Sequence, residues 1–163
     1  MASEIKVDTI VNAGGDNDTG IDLATNDQIL LKVANATKLT MNSTGQTTIV
    51  GEGGTTTTSV QQGLCKVWCN FNGDGTIATR DSFNVSGLTD NSTGDYTVSI
   101  NSNMGNDDYS YVIGKRHNRP ADGDGSVSST TTSQFEHNTR DGNLGSSRED
   151  SDRNYSALFG DLA

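Results

Sequence analysis

The apolar residues of this chain fall in short alternating runs, and that pattern leaves little choice of fold. Ile21 and Leu23 alternate, then Ile29, Leu31 and Val33, then Leu39 and Met41, and Thr47 and Ile49 close the series. Asn26-Asp27, Asn35-Ala36 and Ser43-Thr44-Gly45 separate the runs. A period of two, broken by turn residues, marks short antiparallel strands. EIKVDTIV (4–11) reads the same way and is broken by Gly14 and Gly15. QILLKVANA (28–36) also admits a helix, with Leu30, Leu31 and Ala34 on one face. No stretch shows sustained helical periodicity.

GEGGTTTTS (51–59) contains no apolar side chain and predicts a linker, taken as 51–62. It separates an N-terminal part, 1–50, from a C-terminal part, 63–163. The second part is richer in aromatics. Strands are expected at 64–71, 76–85, 95–100, 108–114, 126–136 and 154–159, with turns at NGDG, TDNSTG and NSNMGND. Six short antiparallel strands predict a small β-sandwich. The charged, Gly-rich stretch 137–153 reads as a surface loop.

Composition then constrains assembly. Only 31% of residues are hydrophobic, against about 45–50% in ordinary globular chains when Gly is counted. Disorder is one consequence of such a deficit. Against it stand the ordered alternation and the near absence of proline, Pro120 alone. A chain this polar can fold when identical subunits share a core, so a homo-oligomer is expected. The net charge of −10 argues against nucleic acid and against an anionic membrane face. No apolar run approaches the length of a membrane span, and no apolar segment follows Met1-Ala2-Ser3-Glu4, so neither membrane insertion nor a signal peptide is expected.

The two cysteines, Cys65 and Cys69, lie in GLCKVWCNFNGDG (63–75). In a strand they share a face with Val67 and Phe71 but stand roughly 13 Å apart, whereas a disulfide needs Cα atoms within about 7 Å. Zinc needs further ligands, and His117 and His137 have no metal-like spacing. The cysteines are therefore expected to be packing residues, with no disulfide and no metal. Trp68 falls on the opposite face, as an inter-sheet core residue or, preferably, a subunit contact.

Other chemistry is weakly signalled. DGDG (122–125) and NGDG (72–75) lack the carboxylate series of a calcium loop and read as turns. GEGG (51–54) is not followed by a lysine, as a phosphate loop would be. A glycosidase pair of carboxylates leaves no sequence trace, and a unit of about 100 residues leaves little room for a polysaccharide groove. No enzyme activity and no cofactor is expected. The run Lys115, Arg116, His117, Asn118 and Arg119 is a basic cluster in an acidic chain. It could receive acidic sugars or phosphates, or it could balance Glu149, Asp150 and Asp152 or Asp122 and Asp124. Tyr109 and Tyr111 share a strand face suited to a sugar or to packing, and Phe135 and His137 pose the same choice.

Several segments resemble tail-fibre proteins of tailed bacteriophages, particularly those of marine cyanobacteria. They are ASEIKVDTIVN, ATNDQILLKVANATKLTMNSTGQTTI, and the ordered pieces W-x-N-F-x-G, R-D-S-F-N-V-S and T-G-D-Y-T-V, with ALFGD near the end. The resemblance covers most of 2–113 and returns at 155–161. It implies an all-β homotrimeric fibre located in the virion and assembled in the host cytoplasm. Residues 1–50 would form an attachment segment and short shaft docking on tail or capsid proteins. The C-terminal sandwich would be a knob touching a glycan or protein of the host surface. The loops within 115–153 supply the candidate receptor-binding residues Lys115, Arg116, His117, Arg119, His137 and Arg140. A structural decoration or adaptor piece without receptor binding is the alternative. Residues 1–12 could add a strand to a partner's sheet or pack within the trimer.

Overall fold

The computed structural model describes residues 6–12, 14, 18–116, 125–140 and 147–163. They form two compact units, Met1–Gly63 and Leu64–Ala163. Both are built almost wholly of antiparallel strands.

The N-terminal unit is one meandering sheet in strict chain order. Its strands are β1 (Thr9–Val11), β2 (Gly20–Asp22), β3 (Gln28–Val33), β4 (Ala36–Asn42), β5 (Thr47–Val50) and β6 (Thr57–Ser59). Residues 28–36, open to a helical reading, are β3 and a two-residue turn at Ala34–Asn35, both with positive φ, as a tight hairpin requires. The linker expected at 51–62 is largely absorbed into this unit. Thr57–Ser59 pairs with β5, because β-branched threonines suit an edge strand. Val60–Gly63 then makes one helical turn, α1. The Gln61 side chain pins that turn, accepting from Thr47 N at 3.0 Å and donating to Gly45 O at 2.8 Å.

The C-terminal unit has two four-stranded sheets, β12-β13-β10-β9 and β11-β14-β7-β8. In chain order the strands are β7 (Cys65–Asn72), β8 (Ala78–Phe83), β9 (Val85–Ser92), β10 (Asp95–Ile100), β11 (Ser110–Lys115), β12 (Gly125–Thr130), β13 (Gln134–Thr139) and β14 (Asn154–Phe159). Both sheets feed one core, the arrangement of a sandwich. Val67, Cys69 and Phe71 enter from β7 and Leu158 from β14. Tyr96, Val98 and Ile100 enter from β10 and Phe135 from β13. β10 shows the cause plainly: in DYTVSI every second side chain is buried.

Three expectations are corrected here. The strand expected at 76–85 is two strands in different sheets, divided at Asn84. Asn84 has φ of 58°, a left-handed conformation that asparagine tolerates. Its side chain donates to Lys66 O (3.1 Å) and Ser102 O (3.0 Å) and accepts from Ser102 N (2.7 Å). That corner lets the chain leave β8 and enter β9, whose polar TDNS tail had read as a turn. The strand expected at 126–136 is the hairpin β12–β13, turned at 131–133. The loop expected at 137–153 begins inside the core, since His137, Asn138 and Thr139 are buried on β13.

Replacing Asn84 by Ala removes three hydrogen bonds and leaves a Cβ residue at positive φ. We expect a loss of about 1–2 kcal/mol in urea unfolding, and a smaller loss for Asn84→Gly, which relieves the backbone alone. Equal stability of wild type and both variants would contradict the corner's role.

Candidate interaction surfaces

On β3 every second side chain from Ile29 on is exposed, and those are apolar. Ile29, Leu31 and Val33 are exposed, at 40%, 37% and 49%, while Leu30 and Lys32 are half-buried. The register explains how these exposed residues line up. Ile10 lies opposite Ile21, Ile21 opposite Leu31, Leu31 opposite Leu39, and Leu39 opposite Ile49. Paired residues of a sheet share a face, so one apolar row crosses five strands. Ile29 opposite Met41 adds a second rung. The reverse face is set by Asp22, Leu30, Thr40, Thr48 and Ser59 in register. It carries the Lys32–Asp22 ion pair, which holds the Asp22 carboxyl below its ordinary range by hydrogen bonding from Lys32 first and Ala24 N second. Among the described residues of 6–63, none is buried.

The C-terminal unit presents a second apolar row on the outside of the β11-β14-β7-β8 sheet. Trp68 belongs to it, half-buried and outside the core. The two cysteines are free thiols. Cys69 is buried beside Val67 and Phe71, and burial pushes its thiol up to about 11, away from reactive thiolate. Cys65 is half-buried and directs its sulfur toward Val67 O at 3.1 Å.

The candidate receptor-binding residues do not form one cluster. Lys115 has a side chain only 2% exposed, with Nζ 3.2 Å from Glu149. Arg116 lies 3.2 Å from Asp152, both about half exposed. The basic run is thus met by the acids at 149 and 152, one of its two sequence readings. His117 and Arg119 lie outside the described residues. Arg140 is exposed and bridges Arg148 at the end of β13. Assigning His137 to a contact surface is corrected: it is 0% exposed, against Phe71 (ring centroids 5.2 Å) and Tyr96 (6.5 Å). Phe135 is core as well. Of the two tyrosines, Tyr109 is buried with its hydroxyl 3.2 Å from Thr131 O, and burial raises it to about 12. Tyr111 stands 45% exposed on edge strand β11.

Sequence reasoning missed a polar clamp at one end of the core. The Tyr96 hydroxyl lies 2.8 Å from Asp150 and 3.0 Å from Gly73 O, while Gly94 N donates to the same carboxylate oxygen at 2.6 Å. Thr139 Oγ1 donates to Glu149 O at 2.5 Å. Gly94 must be glycine: its φ is +63°, and a Cβ there would meet Glu149 N at 2.7 Å. The clamp ties 149–151 to the β9–β10 turn, a pairing of distant polar residues with no local signature. NGDG at 72–75 is a turn closed by Asn72 Nδ2, which donates to Asp74 O and Thr76 O.

Among the described residues, no group of three or more His, Cys, Asp or Glu side chains is placed to hold a metal ion, and no helix is long and apolar enough to cross a membrane. Comparison with protein-family models, curated proteins and solved structures gives no match to this chain.

Neither ring nitrogen of His137 has a hydrogen-bond partner, and burial lowers its pKa to about 4 from 6.5. The unfolded chain therefore binds a proton that the fold refuses between those values. His137 stabilises fully above about pH 6.5, and that contribution falls on acidification toward pH 4, by on the order of 3 kcal/mol. Urea midpoints at pH 7 and pH 4.5 for wild type and His137→Leu measure this. We expect the variant to lose markedly less stability in that interval. An unchanged pH dependence would contradict the assignment.

Proposed function

We propose that this chain is a structural fibre protein of a tailed-phage particle, three copies joined through their N-terminal sheets, with the C-terminal sandwich as an outward knob for host contact. The supporting observation is the one-sided N-terminal sheet with its uncovered apolar row. Its six strands, three to seven residues long and about 4.8 Å apart, give a face on the order of 400 Å². That is about half of the ~800 Å² each partner contributes to a standard interface, and within the range of the largest apolar patch on a monomer, which is often functional. No single copy covers this surface within its own sheet. Charge points the same way, because chains carrying −10 each approach most easily through a face whose rows are uncharged. Three sheets with apolar faces inward close a ring without leaving a free face. The virion setting and the host contact rest on the resemblance of the sequence to phage tail fibres.

A second reading, a decoration or adaptor protein without receptor binding, has one observation in its favour. Lys115 and Arg116 already hold Glu149 and Asp152, which weakens an electropositive landing site for acidic sugars. Binding of the full chain to host cells separates the two. Fibre function expects saturable binding; the decoration reading expects none, with particles that lose integrity when residues 1–50 are removed.

Leu31→Lys with Ile49→Lys, both exposed positions of the row, tests the association itself. On an exposed surface such changes cost within about 0.5 kcal/mol, so a monomer would tolerate them. We expect light scattering to give about three chain masses for wild type and one for the double variant, with Thr40→Lys on the reverse face still associating. Persistence of the assembly in the double variant would remove this face from the interface.

A further inference from the structure

The row on the outer face of the sandwich crosses all four strands of its sheet. Val112 of β11 lies opposite Ala157 of β14, Ala157 opposite Trp68 of β7, and Trp68 opposite Phe83 of β8. Tyr155 and Phe159 flank Ala157 at two-residue spacing and share the face. Val112 is 63% exposed and Phe83 53%. Two charged residues border it: Asp81, in register with Asn70, and Lys66, two residues before Trp68 on β7, whose ammonium donates to Leu64 O at 2.8 Å. The core of the unit uses none of this row.

Size decides what can occupy it. Four strands and about six residues per strand span roughly 400 Å², within the range of the largest apolar patch of a monomer, which is often functional. That is about half of the ~800 Å² per partner that holds two free proteins together. Once copies are joined elsewhere, a unit that follows the joined segment directly experiences an effective concentration in the mM range, and a patch of this size then suffices. The chemistry of the row favours protein over sugar. Four of the six side chains named on it, Val112, Ala157, Phe83 and Phe159, carry no hydrogen-bonding group and offer nothing to the hydroxyls of a glycan, whereas they match another apolar sheet face.

We infer that the Val112–Ala157–Trp68–Phe83 row seats a second copy of this chain, closing the C-terminal units against each other. This rests on the association proposed through the N-terminal sheets. It makes the outer sheet of the sandwich an inward-facing surface of the assembly. Host contact would then fall to the other parts of the unit.

Trp68 is the single tryptophan of the chain and reports directly from this face. The experiment is acrylamide quenching and emission wavelength of the full-length protein over a dilution series, with mass measured on the same samples. In the associated protein we expect blue-shifted emission and quenching several-fold weaker than after dissociation. Val112→Glu with Phe83→Glu should leave the mass unchanged, because the N-terminal sheets still hold, yet make Trp68 as quenchable as in dilute protein. Both positions are already exposed, and far-UV circular dichroism checks that the sandwich persists. Equal quenching of Trp68 in associated and dissociated wild type overturns the inference while leaving the association standing. So does protection of Trp68 only on adding host-surface polysaccharide at constant mass, which gives the face to a glycan. A chain that stays single at every concentration overturns the association first, and mass shows it before any fluorescence is compared.

Discussion

A β-sheet needs something to lie against, and in the N-terminal unit of this protein none of the described residues is buried. Backbone pairing satisfies the peptide groups of a meander, but ordering each residue costs roughly 1–2 kcal/mol in backbone entropy. Only burial of apolar surface offsets that cost. Here an apolar row stands on one face in register from Ile10 to Ile49, and every described residue of the unit is exposed or half-buried.

The C-terminal unit shows the contrast within the same chain. Its two sheets face each other, and residues such as Phe71, Tyr96, Val98, Phe135 and Leu158 are fully or almost fully withdrawn from solvent. Its interior is small and accepts polar groups at one end, where Asp150, Tyr96 and the Gly94 amide are bonded together and His137 is sealed in without a partner. A polar chain can thus build a core of its own when two sheets are available. With a single sheet it turns outward.

Much of this was legible in the sequence. Alternation at Ile29, Leu31, Val33, Leu39 and Met41 gave the strands of the first sheet, and DYTVSI gave β10, because a period of two survives in any sheet. The low apolar content pointed to a thin interior, and no described residue of 6–63 is buried. Other features were hidden. Asn84 reads as an ordinary strand residue, since nothing local announces a left-handed corner between two sheets. The tail of β9 and the end of β13 read as turn and loop, because burial of His137, Asn138 and Thr139 depends on partners far along the chain. Lys115 and Arg116 formed a cluster in sequence, yet each meets an acid more than thirty residues away. Periodicity reports sidedness; it does not report what covers the side.

Amide hydrogen exchange through residues 28–42, followed while the protein is diluted, asks the central question most directly. If copies provide the second layer, the ladder between β3 and β4 is strongly protected at high concentration. It then exchanges nearly as fast as an unfolded peptide once the chains separate, while β7 and β10 stay protected throughout. Slow exchange in 28–42 from a single separated chain would show that the sheet stands without a cover, and the account built on it would not hold.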